Sequence, residues 1–515
     1  MLGERKVFIA HQHISDVKDM EETIMNEDYL ANIRPTRRQL DWQRMEMYAF
    51  THFGMNTMTD REWGLGHEDP ALFNPQEFDA DQWMDALKAA GMTGVILTCK
   101  HHDGFCLWPS RYTTHSVASS PWKDGRGDVV REVSDAARRH GLKFGVYLSP
   151  WDRTEATYGS GKDYDDFYVN QLIELLTHYG PIFCVWLDGA CGEGPNGKKQ
   201  QYDWQRYYNV VRALQPEAVI CVSGPDVRWC GNEAGHTREN EWSVVPERLR
   251  SAELTAAKSQ KADDGEFSRL VRSDEEDLGS RKALADYDGP LAWYPSEVNT
   301  STRPGWFYHE NEDTQVRNAQ ELFDIWASSV GGNATFLLNV PPTPQGRIAQ
   351  ADVKALAGLG ALIDDFKARM ITEGVCVGFS TNSRGTDPSA LLTTDADSDY
   401  WTPDGEDPDP TVTLDFDTPR CIDAVVLREQ IAVGQRIDVV EVRAGRPVDS
   451  QLLASKESVG YQRIVRFDPV TTDHIEIRIP AFRIRPTLCA AIAVEAVRRD
   501  DNAADSDVCA VGTQA

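Results

Sequence analysis

The chain has 515 residues, of which 41% are hydrophobic and 26% are charged, so a sizeable core can form and wholesale disorder is excluded. This length fits a barrel of about 250 or more residues plus one accessory domain. The formal net charge of −28 would repel a phosphate backbone and an anionic lipid surface, which argues against nucleic acid and membrane as partners. An uncharged partner is easier to accommodate, and the sequence does not indicate an oligomeric state.

The N-terminal segment, residues 1–34, is predicted to be an extension without catalytic groups. Its longest apolar run, VFIAH, is too short for the hydrophobic region of a signal peptide. No stretch of the chain approaches the roughly 18 apolar residues needed to cross a bilayer. The ten cysteines are scattered, with no CxxC pair and no zinc-ligand spacing. We therefore expect a cytoplasmic protein with reduced thiols, no metal and no cofactor.

Residues 35–371 pair short apolar runs with amphipathic segments, which is the pattern of βα units. The apolar runs predict strands at 47–53, 94–100, 143–149, 182–188, 218–224, 291–298 and 334–340. Between them, Asp79 and Asp128 are suited to cap helix N-termini, and Gly91 and Gly141 are suited to end helices. We predict an α/β fold, a (β/α)8-type barrel, whose eighth strand lies in the charged stretch 246–288 unless the barrel is irregular there.

The C-terminal part changes character after a long helix predicted over 348–370. Short β-rich runs broken by Asp, Pro and Gly then predict a β-sandwich over 372–498. Within it, the segment SDYWTPDG resembles galactose-binding-like modules, so the unit either binds sugar weakly or covers the barrel and shapes the site beside it. Residues 499–515 are expected to form a disordered acidic tail.

Polar residues that end apolar runs are the candidates for catalysis, because barrel enzymes carry their catalytic groups at the C-terminal ends of strands. Asp188 directly follows IFCVWL and is the strongest candidate for a catalytic carboxylate; the alternative is a turn aspartate before Gly189. Trp186 points the same way, either as a wall for stacking a sugar or as a core residue. Further candidates at strand ends are His52, His101, His102, Tyr147 and Trp151.

The adjacent His101 and His102 in KHHDGF raise the question of a metal site. Adjacent side chains on an extended strand diverge, and no third and fourth ligand follow at a familiar spacing. We therefore favour two neutral imidazoles that hydrogen-bond to vicinal hydroxyls, although either histidine alone could be a core residue.

If Asp188 served the hydrolysis of a glycosidic bond, a second carboxyl group would be needed, protonated while that of Asp188 is ionised. Three glutamates follow the fifth predicted strand, Glu233, Glu239 and Glu241, within RWCGNEAGHTRENEW. Their composition and spacing do not rank them.

Eight sequence blocks stand in order between about residues 35 and 350. They are THFGMNT, EWG, TCKHHDGFCLW, GVYLSPW, VWLDGA, GPDVRWCGNE, WYPSEVNTSTRPGWFYH and LLNVPPTPQG. In this order they resemble the α-L-fucosidases of glycoside hydrolase family 29, and most of all the branch that acts on α-1,3/4-linked fucose of branched oligosaccharides. The resemblance thus predicts fucosylated, Lewis-type oligosaccharides as substrates.

The resemblance also implies the roles of individual residues. Asp188 corresponds to the nucleophile and Glu233 to the acid/base of a retaining double displacement, with the two carboxyl groups about 5 to 5.5 Å apart. The implied sugar-binding residues are His52, Glu62, Trp63, His101, His102, Tyr147, Trp186, Arg228 and Trp306. For Trp306, a packed loop anchor is the alternative. Two other functions stay open: a barrel glycosidase for a related sugar such as α-L-galactose, and a sugar-binding protein without catalysis.

Overall fold

The computed structural model describes residues 29–258, 276–395, 399–446 and 448–497. Most of the predicted extension, residues 1–28, and the predicted tail, residues 499–515, lie outside the described residues. Within the described part, no helix is both long and apolar enough to cross a membrane.

In its described residues, the first unit has ten strands, eight of which form one parallel sheet. In chain order the strands are β1 Met47–Thr51, β2 Gly94–Lys100, β3 Lys143–Leu148, β4 Cys184–Leu187, β5 Val219–Val222, β6 Arg228–Trp229, β7 Val244–Pro246, β8 Leu291–Trp293, β9 Ser296–Ser301 and β10 Ala334–Asn339. The sheet order is β5-β4-β3-β2-β1-β10-β9-β6, and β7 pairs with β8 outside it. Its two end strands, β5 and β6, are neighbours in space, so the sheet closes almost completely into the predicted barrel.

Helices connect and cover the strands. They are α1 Arg37–Gln43, α2 Met55–Thr59, α3 Ala80–Ala89, α4 Val129–Arg139, α5 Lys162–His178, α6 Trp204–Leu214, α7 Ala252–Lys258, α8 Arg281–Leu284, α9 Ala319–Ser329 and α10 Gln350–Ala368. The predicted caps are confirmed, since Asp79 accepts from the Gln82 amide at 3.0 Å and Asp128 accepts from the Arg131 amide at 2.8 Å.

Strand β1 shows how the sequence positions polar groups at the mouth of the barrel. Met47 and Ala49 pack between the sheet and the helices, whereas Tyr48 and Phe50 belong to the hydrophobic cluster inside the barrel. Because side chains alternate along a strand, His52 continues the inward row beyond the end of β1. In the same way, an inward row on β4 leads through Trp186 to Asp188.

The prediction of one strand over 291–298 is wrong. Leu291–Trp293 pairs with β7, and the barrel strand is Ser296–Ser301. Pro295 separates the two because it has no amide hydrogen to continue a ladder. The second half of the barrel strand, residues 299–301, was not predicted because the strand is polar, with Glu297 and Asn299 buried within it.

The eighth strand of the barrel is Arg228–Trp229. It precedes the stretch 246–288, in which one of the two sequence-based alternatives placed it. Only residues 223–227 separate it from β5, which is too short a connection for a crossover helix. The barrel is therefore irregular at this point, as the other alternative held.

As far as the structure describes it, the C-terminal unit is an antiparallel sheet of six strands. The strands are β11 Val375–Phe379, β12 Thr411–Arg428, β13 Ile437–Ala444, β14 Gln451–Glu457, β15 Arg463–Phe482 and β16 Ala490–Glu495. Their order is β11-β12-β15-β13-β14, with β16 pairing on β12. The sheet has its own buried apolar core and reaches the barrel through the ion pair between Arg428 and Glu46 at 2.5 Å. The predicted β-rich unit is confirmed.

Candidate active site

A pocket opens at the C-terminal mouth of the barrel. The side chains that line it are Phe50, His52, Trp63, His101, His102, Tyr147, Trp186, Asp188, Ala190, Glu233 and Trp306. Nine of these were singled out from the sequence, and they come from segments spread over more than 250 residues. Glu62 and Arg228, which the resemblance also implied, are not among the lining residues.

Asp188, the first residue after β4, is held in the pocket by two hydrogen bonds. Its Oδ2 accepts from the Tyr147 hydroxyl at 2.8 Å, and its Oδ1 accepts from the Ala190 amide at 2.7 Å. Burial, followed by the charge of Asp188, raises the pKa of Tyr147, so the phenol stays protonated and donates. The Asp188 side chain is 21% exposed. It is thus oriented by the protein and still within reach of a ligand.

Three histidines of the pocket are neutral at ordinary pH. Burial lowers the pKa of His52 to about 3 and that of His102 to about 4. Burial and the neighbouring imidazoles also lower the pKa of His101. Because desolvation disfavours the charged form, the pocket presents imidazole rings without positive charge.

The hydrogen bonds of His102 determine which of its nitrogens carries the proton. The Ser149 hydroxyl donates to the carbonyl oxygen of Trp151 at 2.7 Å, so its oxygen accepts from His102 Nδ1, also at 2.7 Å. His102 Nε2 is therefore an acceptor, and it lies 3.9 Å from Asp188 Oδ2.

His52 and His101 carry their protons on different nitrogens. Asn339 donates its amide to the carbonyl oxygen of Trp306 at 2.7 Å, so its Oδ1 accepts from His52 Nδ1 at 2.9 Å. In contrast, Asn56 Nδ2 donates to His101 Nδ1 at 3.2 Å, which leaves the proton of His101 on Nε2. The pocket thus offers both acceptors and a donor on neutral rings.

Aromatic rings provide the apolar part of the pocket. Trp63 packs edge-on against Trp151 with ring centroids 5.4 Å apart, and Phe50 lies 5.2 Å from Trp186. Sequence reasoning missed Phe50, although its place two residues before His52 in the inward row of β1 could have indicated it. It also missed Ala190, for which the sequence carries no signal.

Glu297 supports the Trp186 wall from inside the barrel. It accepts hydrogen bonds from Trp186 Nε1 at 2.9 Å and from the Tyr48 hydroxyl. It is fully buried, and burial raises its pKa to about 7 even though both hydrogen bonds favour the ionised form. Sequence reasoning missed this residue, because a glutamate in the short polar run SEVNTS does not indicate a buried position.

Glu233 enters the pocket from the loop that follows β6. Its Oε2 accepts a hydrogen bond from the indole nitrogen of Trp306 at 3.0 Å. The loop is held in shape by Asn232, whose Oδ1 accepts from the amides of Ala234 and His236 at 3.0 and 3.1 Å. Trp306 in turn lies 5.1 Å from the His52 ring, so it is both a pocket wall and a partner of Glu233.

The other two candidate glutamates are used elsewhere. Glu239 is 75% exposed and forms an ion pair with Lys456 at 2.9 Å, which lowers its pKa. Glu241 is buried between Arg228 and Arg238; burial alone would raise its pKa, but the two guanidinium groups lower it. Neither carboxylate lines the pocket, and neither is suited to hold a proton near neutral pH.

Arg228 and Glu62 thus have protein partners rather than a place on the pocket surface. Arg228 pairs with Glu241 on the outer side of β6. Glu62 accepts hydrogen bonds from the backbone amides of Trp306 and Phe307 at 2.8 and 3.0 Å.

Among residues 29–258, 276–395, 399–446 and 448–497, no group of three or more His, Cys, Asp or Glu side chains is placed to hold a metal ion. The chemistry offered by the pocket itself is that of two carboxylates, neutral hydrogen-bonding rings and apolar aromatic faces. This combination suits an uncharged polyhydroxylated ligand with an apolar face.

Comparison with known proteins identifies the family. Residues 26–366 match the family model described as alpha-L-fucosidase. Alpha-L-fucosidase 1 of Arabidopsis thaliana is 40% identical over 444 residues, which cover 84% of this chain and 81% of that protein.

Two solved structures share the fold over nine-tenths or more of the chain. A glycoside hydrolase 29 family member from an unknown rumen bacterium is 35% identical with a TM-score of 0.74, covering 92% of this chain and 79% of that one. A Ruminococcus gnavus fucosidase of the same family, solved in complex with fucose, is 27% identical with a TM-score of 0.78, covering 90% and 95%. The chain therefore belongs to the α-L-fucosidases of glycoside hydrolase family 29 and is a glycoside hydrolase.

Proposed function

We propose that this α-L-fucosidase is an exo-acting, retaining enzyme that releases α-1,3/4-linked L-fucose from branched, Lewis-type oligosaccharides. Asp188 acts as the nucleophile and Glu233 as the acid/base. The observation that carries the assignment is that these two carboxylates line one pocket in which the three histidines are neutral. The linkage preference rests on the resemblance of the eight sequence blocks to one branch of the family.

The reaction proceeds in two displacements. Asp188 attacks the anomeric carbon of fucose while Glu233 donates a proton to the departing glycosidic oxygen, giving a covalent fucosyl-enzyme. Glu233 then removes a proton from water, which attacks the anomeric carbon and releases Asp188. Two inversions give net retention. The hydrogen bonds from Tyr147 and the Ala190 amide orient the Asp188 carboxylate for the first step.

The neutral rings recognise the hydroxyl groups of the sugar. His52 Nε2 and His102 Nε2 accept hydrogen bonds and His101 Nε2 donates one, so hydroxyls of different orientation find partners. Because His102 Nε2 and Asp188 Oδ2 are both acceptors 3.9 Å apart, a sugar hydroxyl near the anomeric carbon fits between them as a donor. Phe50 and the indoles of Trp63, Trp186 and Trp306 offer apolar contact to the C6 methyl group.

The test is a panel of fucosylated oligosaccharides followed by NMR of the first-formed sugar. We expect α-L-fucose as the first product, with α-1,3 and α-1,4 linkages cleaved faster than α-1,2 linkages. β-L-Fucose as the first product would contradict retention, and faster cleavage of α-1,2 linkages would contradict the branch assignment.

Two further substrates test the remaining alternatives. An aryl α-L-galactoside cleaved as fast as the matching fucoside would extend the assignment to L-galactose, since an apolar pocket rejects an added hydroxyl only modestly. Fucose binding without turnover of any substrate in the panel would instead favour a sugar-binding protein.

A further inference from the structure

The loop after β9 presents Trp306 to the proposed acid/base. The Trp306 side chain lines the pocket, and its indole nitrogen donates to Glu233 Oε2 at 3.0 Å. A hydrogen bond of this kind restricts rotation of the carboxyl group, so the position of the Trp306 backbone affects where the Glu233 proton points.

Glu62 holds that backbone. Its Oε2 accepts from the Trp306 amide at 2.8 Å, and its Oε1 accepts from the Phe307 amide at 3.0 Å and from His309 Nε2 at 3.0 Å. The Glu62 side chain is 7% exposed. Gly305 permits this close approach, because a Cβ atom there would lie 2.3 Å from Glu62 Oε1. Both carboxylate oxygens of Glu62 are therefore engaged by one loop.

His309 supplies the counter-charge for Glu62. Its two ring nitrogens face two carboxylates, Glu62 at 3.0 Å and Asp60 at 2.5 Å, so both nitrogens act as donors in the protonated ring. The hydrogen bond to Glu62 raises the pKa of His309 to about 9 against the opposing effect of burial, and the bond to Asp60 adds to the rise. The two carboxylate oxygens of Glu62 therefore face a protonated imidazole as well as the loop amides at the pH of ordinary assays.

We propose that Glu62, paired with His309, is a positioning residue that acts on Glu233 through Trp306. The inference rests on the proposed role of Glu233 as acid/base. It differs from the role implied by the sequence blocks, in which Glu62 binds the sugar directly. Fixing the 306–307 backbone holds the indole N–H against Glu233 and thereby keeps the acid in line with the departing oxygen.

The variant Glu62→Gln tests the proposal because it keeps the shape of the side chain. A glutamine has one acceptor oxygen where the loop needs two, and its NH2 group faces a donor. Two substrates then separate the roles: a Lewis-type trisaccharide, whose leaving oxygen needs a proton, and α-L-fucosyl fluoride, whose leaving fluoride depends far less on the acid. We expect kcat/KM to fall about tenfold or more for the trisaccharide and less than about threefold for the fluoride.

Inhibition by free fucose provides the second readout. The positioning role predicts an inhibition constant within about twofold of the wild type, because the contacts of Glu62 are with protein. Equal losses of kcat/KM for both substrates together with weaker fucose binding would overturn the proposal in favour of direct sugar contact. Unchanged kcat/KM for the trisaccharide would overturn it as well.

Glu233→Gln distinguishes failure of this inference from failure of the proposed function. Suppose that Glu233→Gln lowers kcat/KM for the trisaccharide but not for the fluoride, whereas Glu62→Gln shows no such difference between the substrates. The positioning role of Glu62 then fails, while the assignment of Glu233 as the acid stands. If Glu233→Gln shows no such contrast, the acid assignment itself fails.

Two further variants guard against a purely structural effect. Glu429→Gln is the matched control, because Glu429 is a buried carboxylate in the C-terminal unit that accepts from the amides of Arg436, Ile437 and Gly460. It should lower stability without changing the ratio of kcat/KM between the two substrates. If Glu62→Gln folds poorly, His309→Gln is used instead, because it leaves the Glu62 carboxylate in place. His309→Gln should likewise lower kcat/KM for the trisaccharide more than for the fluoride. A folded His309→Gln enzyme with the wild-type ratio of the two values would overturn the pairing of Glu62 with His309.

Discussion

Replacing Glu241 by glutamine removes a buried carboxylate that two arginines share. The side chains of Glu241, Arg228 and Arg238 are 2%, 6% and 5% exposed, and Arg238 also donates to the Cys230 carbonyl oxygen at 2.8 Å. With glutamine at this position, the buried guanidinium groups of Arg228 and Arg238 lose the ionised carboxylate that they share. Breaking a buried pair in this way costs about 3–5 kcal/mol, so we expect a loss of that size in the free energy of unfolding.

The assay is urea unfolding of the wild type, Glu241→Gln and the control Glu239→Gln. The control removes a carboxylate from the same loop, but Glu239 is 75% exposed and its partner Lys456 is 27% exposed. Such a pair contributes about 0–1 kcal/mol. Equal and small losses for both variants would refute the view that Glu241 anchors the loop that carries Glu233.

Three further predictions follow from single contacts. Because the pKa of His309 is raised to about 9, protonation of His309 stabilises the folded state fully below the ordinary pKa of about 6.5 and progressively less as pH rises towards 9. The difference in the free energy of unfolding between the wild type and His309→Gln should therefore shrink by about 3 kcal/mol from pH 6 to pH 9. A difference that does not change with pH in urea unfolding would contradict this prediction. Burial raises the pKa of Glu297 to about 7, so ionisation of Glu297 makes the wild type less stable as pH rises from about 4.5 to 7. In the same assay, the free energy of unfolding of Glu297→Gln should rise by about 3 kcal/mol relative to that of the wild type over this range. Tyr147→Phe removes the donor to Asp188 and should lower kcat/KM about tenfold or more with an unchanged circular dichroism spectrum, whereas wild-type kinetics would show that this hydrogen bond has no part in turnover.

The sequence predicted most barrel strands because they are fully buried and apolar. Strands such as β2 and β4 read as continuous runs of Val, Ile, Leu and Trp, which is the pattern of a parallel sheet covered on both faces. Two strands lacked that pattern. Strand β9 is polar because Glu297 and Asn299 take partners inside the barrel, and β6 is two residues long and includes Arg228.

Residues at strand ends were also predictable, since position alone indicates them. His52 and Asp188 continue inward rows beyond their strands, so their arrival in one pocket follows from the alternation of side chains. The choice of Glu233 over Glu239 and Glu241 did not follow from spacing. It depends on contacts across the fold, with Trp306 for Glu233 and with Lys456 for Glu239.

The places of Glu62 and Arg228 could not be predicted because their partners are set by tertiary contacts. Glu62 binds amides 244 and 245 residues further along the chain, and nothing in EWG indicates them. Arg228 faces away from the pocket because its neighbour Trp229 takes the inward position, where its indole donates to Asn299. A family block can thus place a residue near a site without deciding which way its side chain points.

The most direct test of the proposed mechanism is to trap the covalent intermediate. A 2-deoxy-2-fluoro-α-L-fucosyl fluoride slows release of the fucosyl-enzyme, so the modified residue can be found by proteolysis and mass spectrometry. We predict a fluorofucosyl adduct on the peptide that contains Asp188 and its loss in Asp188→Ala. An adduct on another carboxylate, or turnover by Asp188→Ala at the wild-type rate, would contradict the account.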